Sequence, residues 1–368
     1  MTRAKPPEIE DEVSELVAGV MPGAVVLRVS RLGPDEDDDG GATGKAIGYG
    51  VPLRIRVRRP DGAESDLCLH TAKPDEFGHD RRADRAANLL LAFDSFARIP
   101  RHVRALDVGA VLDDGRLASL RRSGEFYLVT EYVEGHVYAD DLRRIARERV
   151  LTDRDVARCE ALARLCAEVH AVRQDGPATY RRAIRDLLGH GEGIFGLVDG
   201  YPVGVTMAPP ERLFRIEQRC LAWRWKLKGR GERLCRTHGD FHPFNVVFDR
   251  AGEPRLLDTS RGSAGEPADD VTCLSINYLF FALEAPGSWH GAFRTLWRTF
   301  FQTYLGVTGD RELFSVAAPF FAWRALVLCN PRWYPSIHAS TRDALLGFVE
   351  RVLDAPYFDP DEAEGLFS

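Results

Sequence analysis

A chain of 368 residues is long for a single hydrophobic core and is expected to form two packed domains. Its 45% apolar and 28% charged residues are typical of a globular protein, and a net charge of −6 with interspersed signs argues against nucleic acid as a ligand. The seven scattered cysteines and the lack of an 18-residue apolar stretch predict buried free thiols and a cytoplasmic location without membrane contact.

The first part of the chain, residues 1–132, predicts an antiparallel sheet with one internal helix. Apolar residues at helical spacing predict an N-terminal helix over residues 8–20, and the internal helix is expected over residues 81–96. Alternation and short apolar runs bounded by turn residues predict the strands. These strands are expected at residues 25–29, 53–57, 67–69, 105–112 and 126–131.

Helical spacing dominates the second part, residues 133–368, which predicts a larger and mainly helical domain. Thr152 and Asp155 have the spacing of a capping box at the start of one of its helices. Further helices are expected over residues 211–228 and over most of 271–355. A single β-hairpin, within residues 234–258, interrupts them, and the fold class is therefore α+β.

The hairpin brings two oxygen-bearing side chains together. Its predicted strands are Val246–Phe248 and Arg255–Leu257. If Val246 pairs with Leu257, Asn245 faces Asp258, with Cβ atoms about 5 Å apart. An amide oxygen and a carboxylate in this arrangement suit Mg²⁺, which completes its octahedron with water and phosphates.

The residues just before the first strand suggest a reaction. Asp240 lies in a Gly- and Pro-containing loop, where a carboxylate can accept the proton of a substrate hydroxyl while a metal holds phosphates. His242 is a second candidate, either for contact with a transferred phosphate or for a structural role. His238 is expected to fix the loop by hydrogen bonding. Zinc at His238 and His242 would need a helix, which Gly239 and Pro243 argue against.

Three motifs follow one another in this region: His238-Gly-Asp240 to Asn245, then Asp258, then Gly265-Glu-Pro-Ala-Asp-Asp270. In this order they resemble the aminoglycoside phosphotransferase and choline kinase superfamily. The resemblance implies a two-lobed, protein-kinase-like fold with a β-sheet N-lobe and a helical C-lobe. It also implies Asp240 as catalytic base, Asn245 and Asp258 as magnesium ligands, and Asp270 as a structural carboxylate. The implied reaction moves the terminal phosphate of ATP or GTP to a hydroxyl of a small molecule.

The nucleotide-binding residues follow from the same resemblance, with one departure. Residues 126–135 resemble the last N-lobe strand and the hinge, which implies that the backbone at Glu131 and Val133 receives the nucleobase. The family holds phosphates with a lysine near the end of the third strand, where this chain has His70. Lys73 should face away unless the strand has already ended. Asp84 is the expected acidic partner, and residues 33–50 are expected to cover the phosphates.

Two questions stay open at this level. A kinase-like binding protein that has lost transfer through the change to His70 is the alternative to an enzyme, although the intact Asp240, Asn245 and Asp258 favour the enzyme. The acceptor is equally open among antibiotics, choline-like amines, sugars and amino alcohols. The six tryptophans predict either core packing or an aromatic cage for a cationic acceptor. Neither ATP versus GTP nor the oligomeric state is predicted.

Overall fold

A computed structural model describes residues 6–31, 52–259 and 261–366 of this protein. The chain divides into two compact units, Met1–Thr130 and Glu131–Ser368. The sequence predicts a division after residue 132, and the roles assigned to the two parts remain predictions. The stretch expected to cover phosphates, residues 33–50, lies outside the described residues.

The first unit contains a three-stranded antiparallel sheet whose strands pair in sequence order. Its core joins Val13 and Val17 of the first helix to Ile55 and Val57 of the middle strand, because alternate residues of a strand share one face. The elements are α1 (Pro6–Val20), β1 (Val25–Arg31), β2 (Leu53–Arg58) and β3 (Glu64–Leu69).

The rest of the first unit differs from the prediction. It contains α2 (Arg82–Phe96) and a separate two-stranded ladder of β4 (Gly109–Val111) and β5 (Leu117–Ser119). The predicted strand at residues 126–131 is wrong, since the chain there has no regular structure and Leu128 is 86% exposed. Strand propensity reflects packing against neighbouring strands, and no described strand pairs with this segment. The single predicted sheet is therefore wrong as well.

The second unit is mainly helical, which confirms the α+β class. The predicted capping box is confirmed at the start of α4, where Thr152 Oγ1 accepts the N–H of Asp155 at 3.3 Å and Asp155 Oδ2 accepts that of Thr152 at 2.8 Å. The helices are α3 (Tyr138–Glu148), α4 (Asp153–Ala171), α5 (Pro177–Gly189), α6 (Ile194–Asp199), α7 (Pro210–Leu227), α8 (Ala268–Glu284), α9 (Arg294–Thr308), α10 (Ala318–Cys329) and α11 (Ala339–Asp354).

One antiparallel sheet and two buried helices position the polar residues of this unit. The sheet has the order β6 (Gly135–Val137), β7 (Val246–Asp249) and β8 (Pro254–Leu256). Helices α8 and α10 are buried along most of their length. Polar side chains on such helices need hydrogen-bond partners, so Asp270, Asn277 and Arg324 are informative positions.

All seven cysteines are free and six are buried, whereas Cys68 is exposed, so the prediction of buried thiols is wrong for Cys68. Four of the six tryptophans are buried, as core packing predicts. Over residues 6–31, 52–259 and 261–366, none of the helices combines the length and the apolar content that a bilayer crossing requires.

Candidate active site

The loop of residues 237–245, called the Asp240 loop below, is anchored by a buried carboxylate. Asp270, in the first turn of α8, accepts the backbone N–H of His238 at 2.7 Å and of Gly239 at 2.8 Å. His170 Nε2 lies 3.1 Å from the same carboxylate. Burial raises the pKa of Asp270, but the His170 contact and the two N–H groups outweigh burial and lower it. This is the structural role that the resemblance implies for Asp270.

Within the loop, both oxygens of Asp240 are held in place. Oδ1 accepts a hydrogen bond from Arg324 Nη1 at 2.7 Å. Oδ2 accepts one from Asn245 Nδ2 at 3.0 Å and lies 3.3 Å from His242 Nε2. His242 Nδ1 accepts the N–H of Phe244, which leaves the ring proton on Nε2 to point at Asp240. Since a carboxylate oxygen has two acceptor sites, Oδ1 keeps one for a substrate hydroxyl.

The surroundings of Asp240 favour its ionised form. Burial raises the pKa of this carboxyl, but the hydrogen bond from His242 and the positive charge of Arg324 together hold the pKa well below its usual range. A carboxylate with so low a pKa orients a hydroxyl and accepts its proton only late in the reaction. This suits phosphoryl transfer, whose loose transition state needs little proton abstraction at its start.

Arg324 is the site residue that sequence reasoning missed. It lies on α10, 84 residues after Asp240, and is 6% exposed. Besides Asp240, it donates to Gly239 O at 2.8 Å and to Asp269 Oδ1 at 2.9 Å. Arg261 converges on the same groups, at 2.7 Å from Gly239 O and 2.8 Å from Asp269 Oδ2. A single charge in an otherwise uncharged helix was the available signal, because a buried charge needs partners.

Arg324→Met should therefore change the pH dependence of the reaction. If Asp240 is the base, its ionised form is the working form, and its depressed pKa keeps it ionised in the wild type below the pH at which an ordinary aspartate protonates. Loss of the Arg324 charge raises the pKa of Asp240, so the acid limb of the kcat/KM profile should move to higher pH. Arg324→Lys keeps the charge and should keep the limb. An unchanged acid limb in Arg324→Met would refute this role of Arg324.

The register of the hairpin differs from the prediction by one residue. Val246 pairs with Leu256 and not with Leu257, so Asn245 faces Leu257 instead of Asp258. A three-residue loop sets this register, because Asp249 N donates to Glu253 O at 2.9 Å and Gly252 takes a left-handed conformation at φ 86°. The predicted pairing assumed a longer loop.

Asn245 and Asp258 nevertheless end close together. Asn245 Nδ2 lies 3.5 Å from the backbone oxygen of Asp258. Asp258 adopts φ 47°, which ends the strand alternation and is an uncommon conformation for a residue with a side chain. Within the described residues, neither the Asp258 carboxylate nor Asn245 Oδ1 has a hydrogen-bond partner. Both oxygens are thus available to a ligand.

Asp240, His242 and Asp258 line one cavity of about 540 Å³, which lies within the second unit and is called the Asp240 cavity. Its size is that of a small-molecule site. Helices α8 and α10 supply much of its wall, including Asn277 and Arg324. The predicted base and one predicted metal ligand therefore share a cavity large enough for a substrate.

The structure shows few contacts at the predicted nucleotide-binding residues. Strand β3 ends at Leu69, so His70 and Lys73 both follow it and strand alternation no longer excludes Lys73. The carboxylate of Asp84 caps α2 by accepting the N–H of Arg81 at 2.9 Å. In the described part of the chain, no backbone hydrogen bond engages Glu131 or Val133. The roles of all five residues stay predictions.

Comparison with solved structures gives similarities at low identity. A choline kinase, LicA, from Streptococcus pneumoniae is 13% identical, with 94% of this chain and 99% of that chain covered and a TM-score of 0.35. A glucosamine kinase in complex with glucosamine, ADP and inorganic phosphate is 14% identical, with coverage of 94% and 96% and a TM-score of 0.38. A type VIII aminoglycoside-3'-phosphotransferase is 19% identical, with coverage of 95% and 99% and a TM-score of 0.30.

Comparison with protein families is more decisive. No curated protein matches the sequence. The model of the phosphotransferase enzyme family (APH) matches residues 71–307, more than half of the chain, and this range includes the Asp240 loop, the hairpin and Asp270. The chain therefore belongs to the phosphotransferase enzyme family, within the superfamily that its motifs resemble.

Proposed function

We propose that this protein is a Mg²⁺-dependent small-molecule kinase that transfers the terminal phosphoryl group of ATP or GTP to a hydroxyl. The observation that carries the proposal is the placement of Asp240, ionised and held from both sides, on the wall of a cavity that also contains Asp258. A protein that only binds nucleotide has no use for this arrangement. Enzyme function is therefore favoured over the alternative of a binding protein.

The chain's own residues act on the acceptor. The acceptor hydroxyl donates to the remaining acceptor site of Asp240 Oδ1, which points its oxygen at the phosphorus. As the new O–P bond forms and the bond from phosphorus to the leaving oxygen breaks, the hydroxyl proton passes to Asp240. Arg324 and Asn245 keep the carboxylate in one orientation throughout, which is the positioning on which such reactions depend.

The donor atoms of the site fit magnesium. Asp258 and Asn245 Oδ1 would hold the ion, and both are hard oxygens without a protein partner. Over the described ranges no group of three or more His, Cys, Asp or Glu side chains is arranged to hold a metal. An ion here would take its other ligands from water and phosphates, as Mg²⁺ does. The bound ion would neutralise charge on the phosphates.

For the nucleotide, we propose that the backbone of Glu131 and Val133 receives the base. We further propose that His70 or Lys73 holds the phosphates, with Asp84 as the acidic partner of that residue. The backbone groups of Glu131 and Val133 have no hydrogen bond within the described residues, which supports the first assignment. The end of β3 at Leu69 removes the argument from strand alternation against Lys73.

Alanine substitutions at pH 8 should separate these two residues. Lysine commonly binds phosphate as a point charge. We expect Lys73→Ala to weaken nucleotide binding about 10-fold or more, the effect of a lost hydrogen bond to a charged group, and His70→Ala to weaken it less. Calorimetry with Mg-nucleotide measures both. The reverse order would assign the phosphates to His70.

The proposed function is tested with γ-labelled ATP and GTP and a panel of hydroxyl-bearing metabolites and antibiotics. Label should appear in one acceptor class, in the presence of Mg²⁺ and not after chelation. Asp240→Asn serves as the inactive control. If Mg-nucleotide binds but neither transfer nor hydrolysis occurs with the wild-type protein, the chain is the binding protein of the alternative.

A further inference from the structure

The charges around the Asp240 cavity are largely paired before any substrate binds. Its two arginines, Arg261 and Arg324, both contact Asp269, and Arg324 also contacts Asp240. Asp258 is the carboxylate that the proposed function assigns to the metal. Among the lining residues, the acid that remains is Glu192, whose side chain is 70% exposed. A polycationic acceptor would therefore find no buried carboxylate of its own.

Of the three aromatic side chains that line the cavity, one already has cations of the protein over its ring and the other two do not. The guanidinium carbons of Arg324 and Arg261 lie 3.5 and 3.8 Å from the centre of the Trp323 ring. The indole N–H of Trp323 donates to Glu192 O at 2.7 Å. Trp323 thus already binds the protein's own cations. In the described part of the chain, no cation lies over Trp333 or Tyr334, and Trp333 is 52% exposed.

A single polar group interrupts the apolar wall that α8 contributes. Asn277 is 4% exposed, and its Nδ2 donates to Cys273 O at 2.8 Å. This hydrogen bond fixes the orientation of the amide and leaves Oδ1 as its acceptor. Within the described residues Oδ1 accepts no hydrogen bond. Ile276, beside it in sequence, and Val327 and Leu328 of α10 supply apolar lining. Asn277 lines the cavity, so a donor on a bound ligand can satisfy this acceptor.

We propose that the acceptor is an uncharged molecule with an apolar face. This face packs against Trp333 and Tyr334, and a hydroxyl or amide N–H of the same molecule donates to Asn277 Oδ1. The inference rests on the proposed function for the reacting end of the cavity, at Asp240. It names the acceptor class that the remaining walls recognise, and it excludes aminoglycosides and choline-like cations from that class.

The proposed acceptor class is tested by measuring ligand binding in the absence of phosphoryl transfer. Calorimetry on the full chain, with neither nucleotide nor metal, uses phenyl and octyl β-D-glucosides as uncharged probes and choline and kanamycin as cationic probes. We expect at least one glucoside to bind 10-fold or more tightly than either cation. The proposal is overturned if a cation binds as tightly as the better glucoside, or if neither glucoside binds.

Two substitutions locate the binding. Asn277→Leu has a similar volume and lacks Oδ1, and it should weaken glucoside binding about 10-fold, the cost of a lost hydrogen bond in a buried site. Trp333→Ala should weaken it as well, and it remains informative if Asn277→Leu fails to fold, because Trp333 is half exposed. Trp225→Ala is the matched control, since Trp225 is 62% exposed and lies outside the cavity. Equal affinities for Trp333→Ala and Trp225→Ala would overturn the proposal.

The proposed acceptor class and the proposed kinase function can fail independently. If a glucoside binds in the cavity but is not phosphorylated by the wild-type protein with any nucleotide, the acceptor class stands and the kinase proposal fails for it. If only kanamycin or choline is phosphorylated, the kinase proposal stands and the acceptor class is overturned.

Discussion

Asp240→Asn is expected to lower the turnover of phosphoryl transfer by about 10² to 10⁴-fold, the usual effect of a lost general base. The amide has nearly the same shape but accepts no proton. Its NH₂ group is a donor, so it would face either the Arg324 donor or the donors of Asn245 and His242. The nucleotide should bind almost as in the wild type, because its proposed contacts are made by residues other than Asp240. Steady-state kcat at saturating acceptor and calorimetry with Mg-nucleotide measure the two quantities separately.

Asp199→Asn provides the control for Asp240→Asn. Asp199 is an exposed carboxylate at the end of α6 and does not line the Asp240 cavity, so the same change of charge should leave kcat unaltered. A turnover near that of the wild type in Asp240→Asn, on the true acceptor, would remove Asp240 from the reaction.

Asp258→Asn is expected to abolish the magnesium dependence of nucleotide binding without unfolding the protein. Asparagine tolerates the left-handed backbone that Asp258 adopts at φ 47°, so the variant isolates the loss of negative charge. A neutral amide is a weaker ligand for a hard divalent cation than a carboxylate. The measurement is the ratio of nucleotide affinities with and without Mg²⁺, with circular dichroism as the test of folding.

The control for Asp258→Asn lies on the same hairpin. Glu253→Gln removes an exposed carboxylate that flanks its loop and should leave the ratio of affinities unchanged. If Asp258→Asn retains the full effect of Mg²⁺ on nucleotide affinity, Asp258 is not a magnesium ligand and the ion must be held by other groups.

Several structural features of this protein could be predicted from local sequence. Thr152 and Asp155 cap α4 through contacts three residues apart, so their spacing alone predicts the start of the helix. Alternation in β2 likewise marks Ile55 and Val57 as core residues. The Asp240 loop could be recognised because Asp240 and Asn245 are five residues apart and their contact is local.

Where one element meets another, local pattern was insufficient. The strand expected at residues 126–131 does not form, because a strand is stabilised by partners that its own sequence does not specify. The hairpin was predicted, but its register depended on the three-residue loop that Gly252 closes, and loop geometry fixes register. The sequence likewise did not show that β3 ends at Leu69. Strand alternation therefore could not decide between His70 and Lys73 as the phosphate-binding residue.

What the sequence determined by itself is the family, the α+β class and the group of residues from Asp240 to Asp258, since each depends on neighbours along the chain. Only the tertiary structure showed that Arg324, 84 residues away, holds the Asp240 carboxylate, and that Asn277 presents an unpaired oxygen to the same cavity. The physical reason is burial. On a helix packed on nearly all sides, the partner of a polar side chain depends on which elements surround the helix. The spacing of residues along the sequence does not predict those elements.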